Sequence, residues 1–79
     1  MAINHFLLIY NVRERQLEQI IPFEGDVDRA AEAYADTERR YREREDRDDF
    51  EIVLLGSDSR ETLEQTHRRY FKRGERVPF

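Results

Sequence analysis

Residues 3–10, with the sequence INHFLLIY, decide the fold of this 79-residue chain. Successive side chains of a β-strand point to opposite faces of the sheet. One face of this strand would carry Ile3, His5, Leu7 and Ile9, and the other would carry Phe6, Leu8 and Tyr10. Because both faces are mostly apolar, the pattern predicts a central strand that is covered on both sides.

Two further strands follow from similar patterns. Residues 16–23 form a second, less regular strand, and the short polar stretch 11–15 before it predicts an antiparallel hairpin. Pro22 lacks an N–H group and cannot donate to a β-ladder, so it places this strand at an edge or ends it. Residues 50–55, FEIVLL, form the third strand, which is again apolar on both faces.

Two helices separate and follow these strands. Asp26 is a suitable N-cap for a helix from about residue 27 to residue 46. The second half of this helix carries pairs of opposite charge four residues apart: Glu38–Arg42, Arg39–Glu43 and Glu43–Arg47. The second helix is predicted over residues 60–72, with a cap from Asp58 and Glu61 or from Ser59 and Thr62, and with Gly74 at its C-cap.

The element order is therefore ββαβα, which predicts a small α+β domain. The simplest arrangement places strand one in the middle of a three-stranded sheet, in the order 2-1-3. Residues 1–79 would form a single domain, in which residues 73–79 are a basic, extended C-terminal tail.

The composition excludes several classes of protein. Charged residues make up 41% of the chain, but 20 Leu, Ile, Val and Phe residues and a net charge of only −4 favour a folded domain over a disordered one. No apolar run approaches the roughly 18 residues of a transmembrane helix, so no membrane contact is expected. The absence of Cys excludes a disulfide scaffold and a Cys-based zinc site. The N-terminus reads as a strand rather than a signal peptide, so the expected location is the cytoplasm.

Candidate residues for catalysis or metal binding are few. The two histidines, His5 and His67, could hold a metal ion with a carboxylate such as Glu64, but each is better interpreted as a half-buried side chain bonded to a neighbour. Ser57 and Ser59 fit a helix-capping turn. The acidic run Asp46, Asp48 and Asp49 lacks the Gly and the terminal Glu of a calcium loop, so it is interpreted as a solvated loop. We therefore predict no catalytic residue, no cofactor, no metal ion and no enzymatic activity.

The charge is unevenly distributed along the chain. Residues 1–59 have a net charge of −7, and residues 60–79 have a net charge of +3. Cations at the end of a helix can simply match its dipole, but basic residues beside aromatic ones can also bind an anion, a partner or single-stranded nucleic acid. The candidate contact residues are Arg68, Arg69, Lys72, Arg73 and Arg76.

Three segments carry a resemblance to a known group of proteins. They are NHFLLIY (residues 4–10), EIVLLGSDS (residues 51–59) and THRRYF (residues 66–71). Together they resemble short uncharacterised proteins of actinobacteria and their phages. The excess of Arg over Lys, 13 against one, independently predicts a genome rich in G and C. The resemblance implies no activity, cofactor or site residue.

Self-association is the main functional expectation. Two helices of about 10 Å width span roughly one face of three strands, so the other face would be left for a partner. The candidate dimer face consists of Phe6, Leu8, Tyr10, Val53 and Leu55, and the alternative is the opposite face, with Ile3, Leu7, Ile9, Phe50, Ile52 and Leu54. Two copies could stack such faces or join at the edge of strand three. We expect a small non-enzymatic interaction or regulatory module that acts as a homodimer and has an unknown protein partner. The alternative is a nucleic-acid-binding protein that uses the basic C-terminal helix and tail.

Overall fold

The computed structural model describes residues 3–71, which contain three strands and two helices in the order ββαβα. The strands are β1 (Asn4–Asn11), β2 (Gln16–Glu24) and β3 (Phe50–Ser57), and the helices are α1 (Val27–Arg42) and α2 (Arg60–Thr66). The sheet order is β2-β1-β3, which confirms the predicted α+β fold and the central position of strand one. The expected basic tail, 73–79, lies outside the described residues.

Strand β1 pairs antiparallel with both of its neighbours. The hairpin turn between β1 and β2 is closed by the side chain of Asn11, which accepts a hydrogen bond of 2.9 Å from the backbone N–H of Glu14. Arg15 has a φ of 54°, a left-handed conformation that this tight turn imposes on a residue with a side chain. The turn thus sets the register in which β2 returns along β1.

The register of the sheet assigns each strand residue to one of two faces. Residues directly opposite each other on neighbouring strands point to the same face. Leu8 lies opposite Ile20 of β2 and Val53 of β3, whereas Leu7 lies opposite Ile21 and Leu54. Leu7 and Leu8 are both fully buried, so each face of the sheet has its own cover.

The two helices cover opposite faces of the sheet. Leu63 of α2 packs in one buried cluster with Phe6, Leu8 and Tyr10 of β1. On the other face, Tyr41 of α1 stacks edge-on against Phe50, which belongs to the face of Leu7. The expectation that both helices share one face was therefore wrong. A sheet whose central strand is apolar on both faces gains more by burying each face under one helix than by leaving one face open.

Both helices begin where the sequence indicates. The side chain of Asp26 accepts a hydrogen bond of 3.0 Å from the N–H of Arg29 at the start of α1. The side chain of Ser59 accepts one of 3.1 Å from the N–H of Thr62 at the start of α2, which selects the second of the two predicted caps. These side chains satisfy donors that have no partner within the helix. Neither described helix has the length and apolar character needed to cross a membrane.

Helix α1 ends at Arg42 rather than near residue 46. Arg44 turns away from the helix, because its guanidinium lies over the rings of Tyr41 and Phe50 and forms an ion pair of 2.8 Å with Asp46. This turn removes the helical spacing on which the predicted pair Glu43–Arg47 depends. The predicted pair Arg39–Glu43 was also wrong, since Arg39 bonds to Asp36 instead, at 3.1 Å.

Helix α2 ends at Thr66 rather than at residue 72, and a short 3₁₀ turn from Arg68 to Tyr70 follows. The hydroxyl of Thr66 donates to the backbone carbonyls of Thr62 and Leu63, at 3.0 and 3.3 Å. Such side-chain bonds compete with the helical pattern and favour its end. The predicted C-cap, Gly74, lies outside the described residues.

Candidate functional site

The predicted dimer face lies inside the chain's own core. Phe6, Leu8 and Tyr10 are at most 7% exposed, because Leu63 and Tyr70 pack on them. The remaining two members of that face, Val53 and Leu55, are half-buried against the same cluster. The prediction that these five side chains form an uncovered face is therefore wrong for its β1 members. Self-association itself stays a prediction and needs another surface.

The candidate basic contact is partly occupied by the chain itself. Arg69 lies 2.7 Å from both carboxylate oxygens of Glu51, so its charge is balanced within the domain. Arg68 is exposed, and its Nε donates a long hydrogen bond of 3.4 Å to the carbonyl of Gln65. The other three candidates, Lys72, Arg73 and Arg76, lie outside the described residues.

Tyr70 completes the cluster around Glu51. Its hydroxyl donates to Glu51 at 2.9 Å and accepts a hydrogen bond of the same length from Arg69, and its ring stacks edge-on against Tyr10. Burial raises the pKa of the Tyr70 hydroxyl, the Arg69 hydrogen bond lowers it, and the Glu51 carboxylate raises it, with a net increase. The pKa of Arg69 is also raised, through its bonds to Tyr70 and Glu51. This arrangement ties the 3₁₀ turn to β3.

The two histidines lie at separate places. His5 is half-buried in β1, and its Nδ1 is buried with no hydrogen-bond partner among the described residues, so the expected bond to a neighbour is not formed there. His67 joins α2 to the 3₁₀ turn, where its ring lies 6.4 Å from that of Tyr70. Within residues 3–71, no three His, Asp or Glu side chains come together as a metal site would need.

A shallow pocket of about 280 Å³ opens on the face covered by α1. It is lined by Ile9, Gln19, Arg40, Tyr41 and Arg44. Arg44 is already bonded twice to Asp46, and this bond lowers the pKa of the Asp46 carboxyl. The pocket can therefore offer an anion little more than the guanidinium of Arg40, which is a surface side chain.

The outer edge of β3 offers a different kind of site. In an antiparallel pair, opposite residues alternate between those that exchange backbone hydrogen bonds and those that do not. The N–H of Val12 donates to the carbonyl of Asp49 at 2.7 Å, and these two residues continue the register in which Asn11 lies opposite Phe50. Alternation then turns the backbone groups of Glu51, Val53, Leu55 and Ser57 towards β1.

The intervening residues of β3 turn their backbone groups away from the sheet. We call the outward N–H and C=O groups of Phe50, Ile52, Leu54 and Gly56 the open edge. The N–H of Phe50 donates to the carbonyl of Arg47. Within residues 3–71, the backbone groups of the other three have no hydrogen-bond partner in the protein. A row of unpaired donors and acceptors of this kind is a template for a further strand.

The opposite edge of the sheet, on β2, is blocked. Pro22 lies opposite Phe6, whose backbone groups turn towards β3, so the ring nitrogen of Pro22 points to the outside. This confirms the predicted edge position of Pro22. A β-bulge also interrupts the ladder where Ile9 gives way to Tyr10, and bulges at sheet edges discourage pairing. The outward residues of β3 were not predicted, although the sequence contains a signal for the contrast between the two edges, because one edge strand contains Pro22 and the other contains no Pro.

Comparison of the chain with protein-family models, with curated proteins and with solved structures found no match.

Proposed function

We propose that this chain is a small, non-enzymatic, cytoplasmic interaction module that acts as a homodimer through the open edge of β3. The observation that carries the proposal is the contrast between the two edges of the sheet. One edge has a Pro and a bulge, and the other presents the outward donors and acceptors of Ile52, Leu54 and Gly56. Native sheets usually protect such an edge with charge, Pro, a bulge or a covering element.

The side chains of β3 support association at this edge. The strand has the sequence FEIVLLGS, and its one charged residue, Glu51, is held by Arg69 and Tyr70. The apolar side chains from Phe50 to Leu55 are all half-buried, in contrast to the buried side chains from Phe6 to Tyr10 of β1. A strand added beside β3 would complete their burial, at roughly 25 cal/mol per Å² of apolar surface.

Binding of nucleic acid is the alternative proposal, and the described residues lend it less support. Arg69, one of its five candidate contacts, is paired with Glu51. A phosphate would have to displace that carboxylate, or bind the exposed Arg68 with residues beyond 71. The whole chain also has a net charge of −4, which opposes nonspecific binding to a polyanion.

The proposal is tested by placing Pro at matched positions of the two edge strands. Ile52→Pro removes an outward N–H from β3, whereas Ile20→Pro removes one from β2, since Ile20 lies opposite Leu8 and also points outward. Light scattering coupled to size exclusion should give twice the 9.6 kDa chain mass for the native chain and for Ile20→Pro. It should give the monomer mass for Ile52→Pro, with a circular dichroism spectrum that matches that of Ile20→Pro.

Two results would overturn the proposal. One is a native chain that remains monomeric at high micromolar concentration. The other is an Ile52→Pro variant that is folded and still dimeric, because association would then use a different surface. If Ile52→Pro does not fold, amide hydrogen exchange on the native chain decides instead. The outward amides of Ile52 and Leu54 should then be as protected as the inward amide of Val53, and rapid exchange at both would contradict the proposal.

A further inference from the structure

We propose that the two copies pair their β3 strands antiparallel about a twofold axis that passes between the two Val53 residues, which joins the sheets into one of six strands. This inference rests on the proposed function and adds the direction and register of the contact. It follows from the hydrogen-bonding directions of the open edge, from the symmetry of a closed dimer, and from the residues that flank β3 at either end.

Symmetry fixes the direction of pairing. A closed dimer is isologous, so the same groups on both copies must satisfy each other. In a parallel pair the hydrogen bonds are slanted and the facing residues are staggered. A twofold axis parallel to the strands would place each residue directly beside its own copy. Because the two copies would not be staggered, the hydrogen bonds of a parallel pair could not form. An axis perpendicular to the strands gives an antiparallel pair, in which opposite residues exchange both of their bonds.

The outward N–H groups of the open edge are satisfied in two registers, with Val53 or with Leu54 on the axis, and the side chains decide between them. With Val53 on the axis, Ile52 lies opposite Leu54 of the partner subunit and Phe50 lies opposite Gly56 of the partner subunit. Ile52 and Leu54 exchange both hydrogen bonds on each side of the axis. The N–H of Gly56 donates to the carbonyl of Phe50 of the partner subunit. The N–H of Phe50 needs no partner there, because it is already bonded to Arg47 of its own chain. Every outward N–H without a partner in residues 3–71 is satisfied in this register.

Neighbouring registers bring carboxylates against the strand. If the axis moved to Ile52, Asp49 would lie opposite Leu55 of the partner subunit. If it moved to Leu54, Asp58 would lie opposite Phe50 of the partner subunit. Each shift sets a charged side chain that precedes or follows β3 beside an apolar one, which costs free energy of desolvation. With Val53 on the axis, the carboxylate that faces the apolar stretch Phe50–Leu55 is that of Glu51, opposite Leu55 of the partner subunit, and it is already held by Arg69 and Tyr70 of its own chain.

The two faces of the sheet continue across the axis in this register. Val53 meets Val53 of the partner subunit on the face of α2, where Leu63 and Tyr70 already form the core. Ile52 meets Leu54 of the partner subunit on the face of α1. Since the backbone groups of Val53 turn towards β1, the two Val53 residues form a non-hydrogen-bonded pair. The Cα atoms of such a pair lie about 4.5 Å apart, which is within the range that a disulfide spans.

This close approach gives a direct test, because the chain contains no Cys. Val53→Cys, oxidised with glutathione, should convert to a covalent dimer of twice 9.6 kDa on a non-reducing gel. Leu55→Cys is the register control, because two copies of that residue would lie several residues apart along the strands. Ile20→Cys is the edge control, since it occupies the same face of the sheet on β2. Both controls should stay monomeric on the gel under the same conditions.

The outcomes separate this inference from the function on which it rests. A native chain with dimer mass, together with disulfide formation at Leu55→Cys but not at Val53→Cys, would overturn the register and leave the proposed function intact. Disulfide formation at Ile20→Cys would place the contact at β2 and overturn both. A monomeric native chain would overturn both. If Val53→Cys fails to fold, nuclear Overhauser effects in a mixture of labelled and unlabelled native chains replace it. They should connect Ile52 with Leu54 between copies, and contacts that join other residues of β3 would contradict the register.

Discussion

The hydroxyl of Tyr70 and a carboxylate oxygen of Glu51 lie 2.9 Å apart, although 19 positions separate them in the sequence. The bond joins the 3₁₀ turn after α2 to the edge strand β3. Arg69 bridges the same two groups, and its guanidinium lies over the Tyr70 ring at 4.5 Å from the centroid. The cluster holds Tyr70 against Tyr10 and so closes the end of the core on the α2 face.

The raised pKa of Tyr70 predicts a loss of stability in alkali. Burial is the largest cause, so the folded state holds the hydroxyl proton more tightly than the unfolded state, whose pKa is about 10. The contribution is complete below pH of about 10 and is lost as pH rises towards the higher pKa of the folded state. Urea unfolding at a series of pH values above 9 should show the free energy of unfolding falling in that window.

Tyr70→Phe is the matched control for this pH dependence. Phe keeps the ring against Tyr10 but cannot ionise, so the fall above pH of about 10 should be smaller in the variant. Some fall will remain, because a hydrogen bond to Glu38 also raises the pKa of Tyr34. If plots of the free energy of unfolding against pH stay parallel for the two proteins between pH 9 and 11, Tyr70 is not the group responsible for the fall.

The ion pair between Arg69 and Glu51 predicts weak or absent binding to nucleic acid. Because the carboxylate balances the guanidinium, we expect no shift of a fluorescent single-stranded DNA or RNA at low salt and micromolar protein. Glu51→Gln removes the carboxylate that balances Arg69, so weak binding to nucleic acid would be easiest to detect in this variant. Binding by the native chain that weakens with salt, with a smaller salt slope in the double variant Arg69→Gln and Arg73→Gln, would instead favour the nucleic-acid alternative.

Truncation of Leu63 should destabilise the domain strongly. Leu63 is fully buried between α2 and the sheet, where it contributes to the cluster around Phe6 and Leu8. Leu63→Ala should lower the free energy of unfolding by about 2–5 kcal/mol, through lost burial and the cavity that remains. Val27→Ala is the comparison, since Val27 is 53% exposed and its truncation should change stability by less than about 0.5 kcal/mol. Equal effects of the two changes in urea unfolding would contradict the placement of α2 over the sheet.

The sheet was predictable from the sequence because its determinants are local. The double-sided apolar pattern of residues 3–10 placed β1 in the centre, and the missing N–H of Pro22 placed β2 at an edge. The same pattern also indicated that both faces of the sheet need cover, which contradicts the expectation that one face stays open. A central strand with Leu7 and Leu8 buried on opposite faces requires cover on both faces, and two helices supply it, one to each.

Features that depend on contacts between distant segments were not predictable in the same way. The end of α1 is set by Arg44, which stacks on Phe50 of β3 as well as on Tyr41 of its own helix. The periodicity of apolar residues along a helix gives no information about a ring such as that of Phe50, which belongs to another segment of the chain. The bond between Glu51 and Arg69 was also missed, although Glu51 is the one charged residue in an otherwise apolar strand. A lone charge on a face that packs against a helix indicates an opposite charge on that helix or on the turn that follows it.

Pro22 should limit assembly to the dimer. Its ring nitrogen points away from β1, so it removes a donor from the outer edge of β2 and leaves β3 as the edge that can accept another strand. Pro22→Ser restores the N–H without adding an apolar side chain. Two open edges per chain would allow contacts that do not close, and such contacts generate extended assemblies rather than dimers. We therefore expect light scattering to show species larger than the dimer, in amounts that increase with protein concentration.

Glu24→Ser is the control, because Glu24 also points outward from β2 but already has an N–H, and it should keep the dimer mass. A Pro22→Ser protein that remains a dimer at high micromolar concentration would show that another feature, such as the bulge beside Tyr10, protects this edge.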